Sequence, residues 1–304
     1  MNTKVVALLL AGIISSGLIY SHPAYAHNFG GDESAGFLAK VQEIKTELGQ
    51  ISTNLSNPSA IDYYVDATGE YWNANDTKEM GERNQLLAKE IPDTLDAIFM
   101  AAKMSNPNAD DVNAKITQLN GYLDEAVPVR IDKDKLNNST VNALAVTNVL
   151  KEVLEKYGDA INSTQDLNDI SEMKDMSGMQ SSGSSMGGME SSIASTVVDE
   201  NKYENAKALA ATATNMFNDL MKKYPNVTEN SKISDAFTEL KQQLDNKAAG
   251  NDVMITVHTK IHPNLITGYN IQVVPEFPMP ALLIIISIVG VIAITRFRSM
   301  KLRQ

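Results

Sequence analysis

Residues 37–55 read FLAKVQEIKTELGQISTNL, and the placing of their apolar side chains decides the class of fold. Phe37, Val41, Ile44, Leu48, Ile51 and Leu55 alternate spacings of four and three, which puts them on one face of an α-helix. Asp32 or Ser34 can cap its start. The same period recurs downstream. After Asn57-Pro58 a second helix is predicted through Trp72, and a third over residues 77–104, with Leu87, Ile91, Leu95, Ile98 and Ala102 on one side. Pro92 should kink that helix or restart it. Val112, Ile116, Leu119 and Leu123 mark a fourth, closed by Val127-Pro128, and Val141, Leu144, Leu150, Val153, Leu154 and Tyr157 a fifth, ending at Gly158. Short links between amphipathic helices predict an all-α chain, with an antiparallel bundle over residues 27–163.

Residues 164–198 change character. The run DMSGMQSSGSSMGGMESS has no apolar period and is expected to be a disordered, flexible linker. Helical spacing resumes with Tyr203, Ala206, Ala210, Ala213, Phe217, Leu220 and Tyr224, then Ile233, Phe237, Leu240 and Leu244. This second unit, residues 199–272, is too short to be stable alone and should pack on the first bundle, on itself or on a partner. Residues 252–262 alternate like a strand but also carry a helical stripe, Val253, Val257 and Ile261. The helical surroundings favour helix.

The two ends predict an address. Lys4, the apolar run 5–20 and Ala24-Tyr25-Ala26 have the layout of a signal peptide over residues 1–26, with His27 as the first mature residue. Residues 279–295, MPALLIIISIVGVIAIT, rise about 26 Å as a helix, close to the ~30 Å hydrocarbon core. Arg296, Arg298, Lys301 and Arg303 follow at once, so the C-terminus should be cytoplasmic and the N-terminus outside in a single-pass surface protein.

Val274-Pro275-Glu276-Phe277-Pro278, followed by that apolar run and its basic tail, resembles the PEF-type C-terminal sorting signal of archaeal surface proteins. The resemblance covers residues 273–304, with Pro275, Glu276 and Phe277 as its core. It implies recognition by a membrane-embedded sorting transpeptidase, an archaeosortase, and possible exchange of the hydrophobic tail for another anchor.

Composition narrows the chemistry. With no cysteine, thiol catalysis, iron–sulfur clusters and Cys-type zinc sites are excluded. Five of the 26 Lys and Arg residues lie in the two terminal segments and all 37 Asp and Glu between them, which leaves about −16 on the intervening chain. Such a surface repels nucleic acid and attracts cations. No H-E-x-x-H, G-x-S-x-G or phosphate loop occurs, so no enzymatic activity is expected. N-x-S/T sequons at Asn54, Asn75, Asn137, Asn138, Asn162 and Asn226 fit a glycoprotein.

Two groups of residues fit metal. An N-terminal His27 would offer amine and imidazole together, and His258 and His262 share a face, a nitrogen set suited to Cu(II). Met173, Met176 and Met179 repeat at M-x-x-M spacing, as do Met186 and Met189, in a stretch with no core to fill. Thioether sulfur favours Cu(I). These methionines resemble the Met-rich segments of extracellular copper-transport and copper-resistance proteins, without the interleaved histidines common there. The helical units also loosely resemble the extracytoplasmic domains associated with iron permeases, but the chain lacks the glutamate-rich permease motif and a clear E-x-x-H pair. Asp110-Asp111 and Asp124-Glu125, its obvious carboxylate pairs, sit near helix ends and read as solvated. The sequence thus predicts a membrane-anchored, copper-handling surface protein. A metal-free envelope component and an accessory subunit of a transporter, including an iron transporter, are the alternatives.

Overall fold

The structure, a computed structural model, describes residues 32–169 and 194–272, and every regular element in them is helical. Helix α1 (Glu33–Thr53) begins where the Asp32 carboxylate accepts the Ser34 amide at 2.9 Å. Its stripe Phe37, Val41, Ile44, Leu48 and Ile51 is buried. Asn57 caps α2 (Pro58–Tyr71), whose opening proline lacks only an amide that has no partner at that position.

The third predicted helix divides. A reciprocal Asn73–Asp76 capping box starts α3 (Ala74–Gly81), and Asn84 caps α4 (Gln85–Ala102) by accepting the Leu86 and Leu87 amides at 3.0 and 3.1 Å. The restart therefore falls at Asn84, and α4 runs through Pro92. Helix α5 (Ala109–Arg130) likewise passes the expected stop at Val127-Pro128. A proline removes one amide donor from the ladder; burial of Ile91, Leu95 and Ile98 around one, and of Leu123, Ala126 and Ile131 around the other, holds the remaining turns.

A single turn, α6 (Lys133–Leu136), leads to α7 (Ser139–Ala160), which Asn138 caps. Helix α7 buries thirteen of its residues, on most of its circumference, and is the central rod of the molecule. Beyond the methionine-rich stretch, α8 (Glu200–Lys223) lies along α7 and also touches α1. Ala206, Ala210 and Ala213 face inward on α8 and let the backbones approach closely. Helix α9 (Asn230–Asp245) stacks Phe237 on Phe217 with ring centroids 5.4 Å apart. The stretch that alternated like a strand is helical throughout: α10 (Gly250–Ile255), a π-helical turn (Thr256–Ile261) and α11 (His262–Tyr269).

Two apolar interiors result, and they divide along a different line from the compositional break at 164–198. One gathers α1 to α5; the other gathers α7 to α11. Helix α1 serves both, giving Phe37, Val41 and Ile44 to the first and Ala35 and Ala39 to the second. Among the described residues no helix is long and apolar enough to cross a membrane. The predicted signal peptide, His27, the five linker methionines, the Pro275-Glu276-Phe277 motif and the apolar run 279–295 lie outside the described residues.

Candidate functional site

The π-helical turn carries His258, and His262 opens α11 directly after it. His258 and His262 are four residues apart with ring centroids at 5.1 Å and planes at 77°, an edge-to-face contact. His258 is half-buried and His262 is 4 % exposed. His258 Nε2 lies 2.9 Å from the Leu167 carbonyl oxygen. A carbonyl can only accept, so Nε2 carries the hydrogen, and in the neutral ring the lone pair sits on Nδ1. A backbone carbonyl orienting one ring nitrogen in this way is the arrangement that usually fixes the tautomer of a ligating histidine.

Leu167 is held where it meets His258 by the start of α10. A Cβ at Gly250 would stand 2.9 Å from Ile161 Cδ1 and 3.3 Å from Leu167 Cδ2, so a larger residue there would push these side-chain ends aside. On the far side of the methionine-rich stretch, Ser195 donates its amide to the Lys247 carbonyl at 2.6 Å and its hydroxyl to that of Ala248 at 3.1 Å. Both described flanks of the stretch are thus seated on the α9–α10 corner, next to the turn that carries His258.

No family model matches the chain, and neither a curated protein nor a solved structure matches it. Its chemistry rests on its own residues.

The structure brings His258 and His262 together, but among the described residues no group of three His, Asp or Glu side chains converges as a metal centre. Asp110, Asp111, Asp124 and Glu125 are exposed, with Asp111 paired to Lys115 and Asp124 to Lys45. Of the sequon asparagines, Asn75, Asn137, Asn138, Asn162 and Asn226 are exposed and Asn54 is half-buried; Asn138 also caps α7, Asn54 donates to the Gln50 carbonyl and Asn137 accepts from Lys223.

A second constellation lies between α1 and α7. Glu43 and Glu47 of α1 are 6 % and 0 % exposed, and they face Glu152 and Lys156 of α7. Burial, helped by the charge of Glu152, pushes the Glu43 carboxyl up to about 8. Burial pushes Glu47 up to about 7, against smaller opposing pulls from the adjacent Asn205 carboxamide and from Lys156. Glu152 is raised by burial and by Glu155; the Tyr71 hydroxyl donates to it at 3.3 Å, and Lys156 Nζ stands 3.9 Å away. A signal was present in the sequence: Ala35, Ala39, Glu43 and Glu47 recur at strict spacings of four, a second face of α1 beside the apolar stripe.

Proposed function

We propose that this chain is a membrane-anchored metal-handling protein of the cell surface, with copper as the metal and His258 and His262 as the helical ligand pair. The observation that carries the reading is the 5.1 Å approach of the two rings on one turn, with His258 already oriented through Nε2. Two imidazoles do not complete a site. In this reading His27, freed by signal cleavage, adds an amine and a third imidazole for Cu(II), and Met173, Met176, Met179, Met186 and Met189 take Cu(I). The seating of both flanks of the methionine-rich stretch at the α9–α10 corner supports a shared location for the two ligand types. The segment 279–295 is the anchor, and an archaeosortase reading Pro275-Glu276-Phe277 is the processing partner. No catalytic step is assigned to the chain.

The test is Cu(II) titration of full-length mature protein in detergent, read by electron paramagnetic resonance and calorimetry. Micromolar or tighter binding with nitrogen hyperfine structure is expected. His258→Gln should weaken it about tenfold or more, and so should one residue added before His27. Unchanged affinity in both variants would remove copper from the account.

A second reading, a metal-free component of the envelope or of a transporter assembly, draws support from the burial of His262. That ring packs as a core side chain, and the pair then serves to fasten the 161–169 loop to α10 and α11.

A further inference from the structure

Independently of any metal, the junction of α1, α2, α7 and α8 holds an arrangement of acceptors that lacks a hydrogen. Glu47 is wholly buried and neither carboxylate oxygen meets a donor. Beside it, Asn205 of α8 is also wholly buried; its Nδ2 donates to the Tyr63 hydroxyl at 3.1 Å, and its Oδ1 meets no donor. Each such orphaned group carries its full desolvation penalty, and a charged one carries more. A carboxylate and an amide oxygen, placed side by side, are both satisfied by a single O–H.

The surrounding charges do not supply another remedy. On α1, Lys40 is committed to Asp76, with Nζ 2.7 and 2.8 Å from its two oxygens. On α7, Lys156 stands between Glu152 and Glu155 at 3.9 and 3.7 Å. From α2, Tyr63, Tyr64, Glu70 and Tyr71 face the junction, and from α8 and its approach Glu204 and Asp199 add negative charge. The interior thus offers one lysine for Glu43, Glu47 and Glu152 together. That lysine and the Tyr71 hydroxyl favour the ionised form of Glu152, which leaves Glu47 as a group that must be neutral to be buried.

We infer that the fold contains a proton-binding site at Glu47, in which the carboxyl O–H donates to Asn205 Oδ1 and so ties α1 to α8. The proton continues a chain of hydrogen bonds from Glu47 to Asn205 to Tyr63, spanning α1, α8 and α2. Release of the proton leaves a bare carboxylate opposite an amide oxygen at one of the contacts between α1 and α8. The raised affinity of Glu47 for its proton is caused first by burial, which outweighs the opposing pull of the Asn205 carboxamide. Its sign is definite. A carboxyl that holds its proton more tightly folded than unfolded stabilises the fold fully below the unfolded value of 4.5, and that contribution is lost as pH rises through about 7.

With the Asn205 amide turned over, Nδ2 would serve an ionised Glu47 and Tyr63 would donate to Oδ1. That alternative buries a full charge on one N–H, and experiment separates the two. Full-length protein in detergent is unfolded by denaturant between pH 5 and pH 9, as wild type and as Glu47→Gln. Glutamine keeps an N–H for Asn205 Oδ1 at every pH. The two proteins should fold equally at pH 5, and at pH 9 the folding constant of Glu47→Gln should exceed that of wild type by roughly a hundredfold. A Glu47→Gln protein weaker than wild type at all pH values would overturn the inference in favour of the turned amide. Should that variant not fold, the infrared spectrum of Glu43→Gln decides. A protonated-carboxyl band present at pH 6 and lost by pH 9 supports the site, and its absence at pH 6 rejects it.

Discussion

Leu167 shows how much of the candidate site hangs on one side chain. It is 2 % exposed, fills the space that Gly250 leaves open, and its own carbonyl accepts the His258 ring hydrogen. Truncation at this position empties a packed corner and loosens the strand of chain that aims His258. Leu167→Ala should therefore cost about 2–4 kcal/mol of stability, measured by denaturant unfolding. It should also weaken any Cu(II) binding that depends on His258, although residue 167 bears no ligand atom. The contact joins residues 91 apart, so nothing in local spacing announced it. What could be read locally was that His258 and His262 share a face, since residues four apart do so on either a strand or a helix. The π-helical turn has no sequence signature of its own. The buried carboxyls were hidden for a related reason: Glu43 and Glu47 look like the polar flank of an amphipathic helix until α7 and α8 are laid over them.

Among the elements, periodicity was a good guide to where helices lie and a poor one to where they stop. The stripe of α1 and the cap at Asp32 agree with the structure, because both signals are local and physical. Pro92 and Pro128 misled because a helix held by tertiary packing tolerates the loss of one amide, whereas the true helix starts are written in asparagines, Asn73 before α3 and Asn84 before α4. This makes α4 open to a direct check. Pro92 sits in mid-helix and is half-buried, so alanine there restores a donor to the Ala88 carbonyl and removes the ring's clash with it. Pro92→Ala should stabilise the protein by about 1–3 kcal/mol in equilibrium unfolding. A loss of stability instead would mean that α4 needs the proline's bend to seat Ile91 and Leu95.

At the scale of the whole molecule, the question is whether the chain behaves as the two units its composition suggests. The methionine-rich stretch is the obvious place to cut, yet α7 precedes it and packs with α8 to α11, which follow it. A fragment of residues 27–163 would carry α7 with the buried face Val146, Val149, Leu150, Val153 and Leu154 turned to water. A fragment of residues 199–272 would in turn lose the rod on which α8 lies, and with it the Glu47–Asn205 contact between α1 and α8. Apolar area on that scale, at about 25 cal/mol per Å², outweighs the whole net stability of a small domain. Neither fragment should then melt cooperatively alone, and the first should bind a hydrophobic dye. Mixed in equal amounts, they should recover a single calorimetric transition and native near-ultraviolet dichroism, because the two interiors share α1 and meet along α7 and α8. Independent sharp transitions from the separate fragments would show that the compositional break is also the energetic one, and that the shared helix α1 couples the two interiors only weakly.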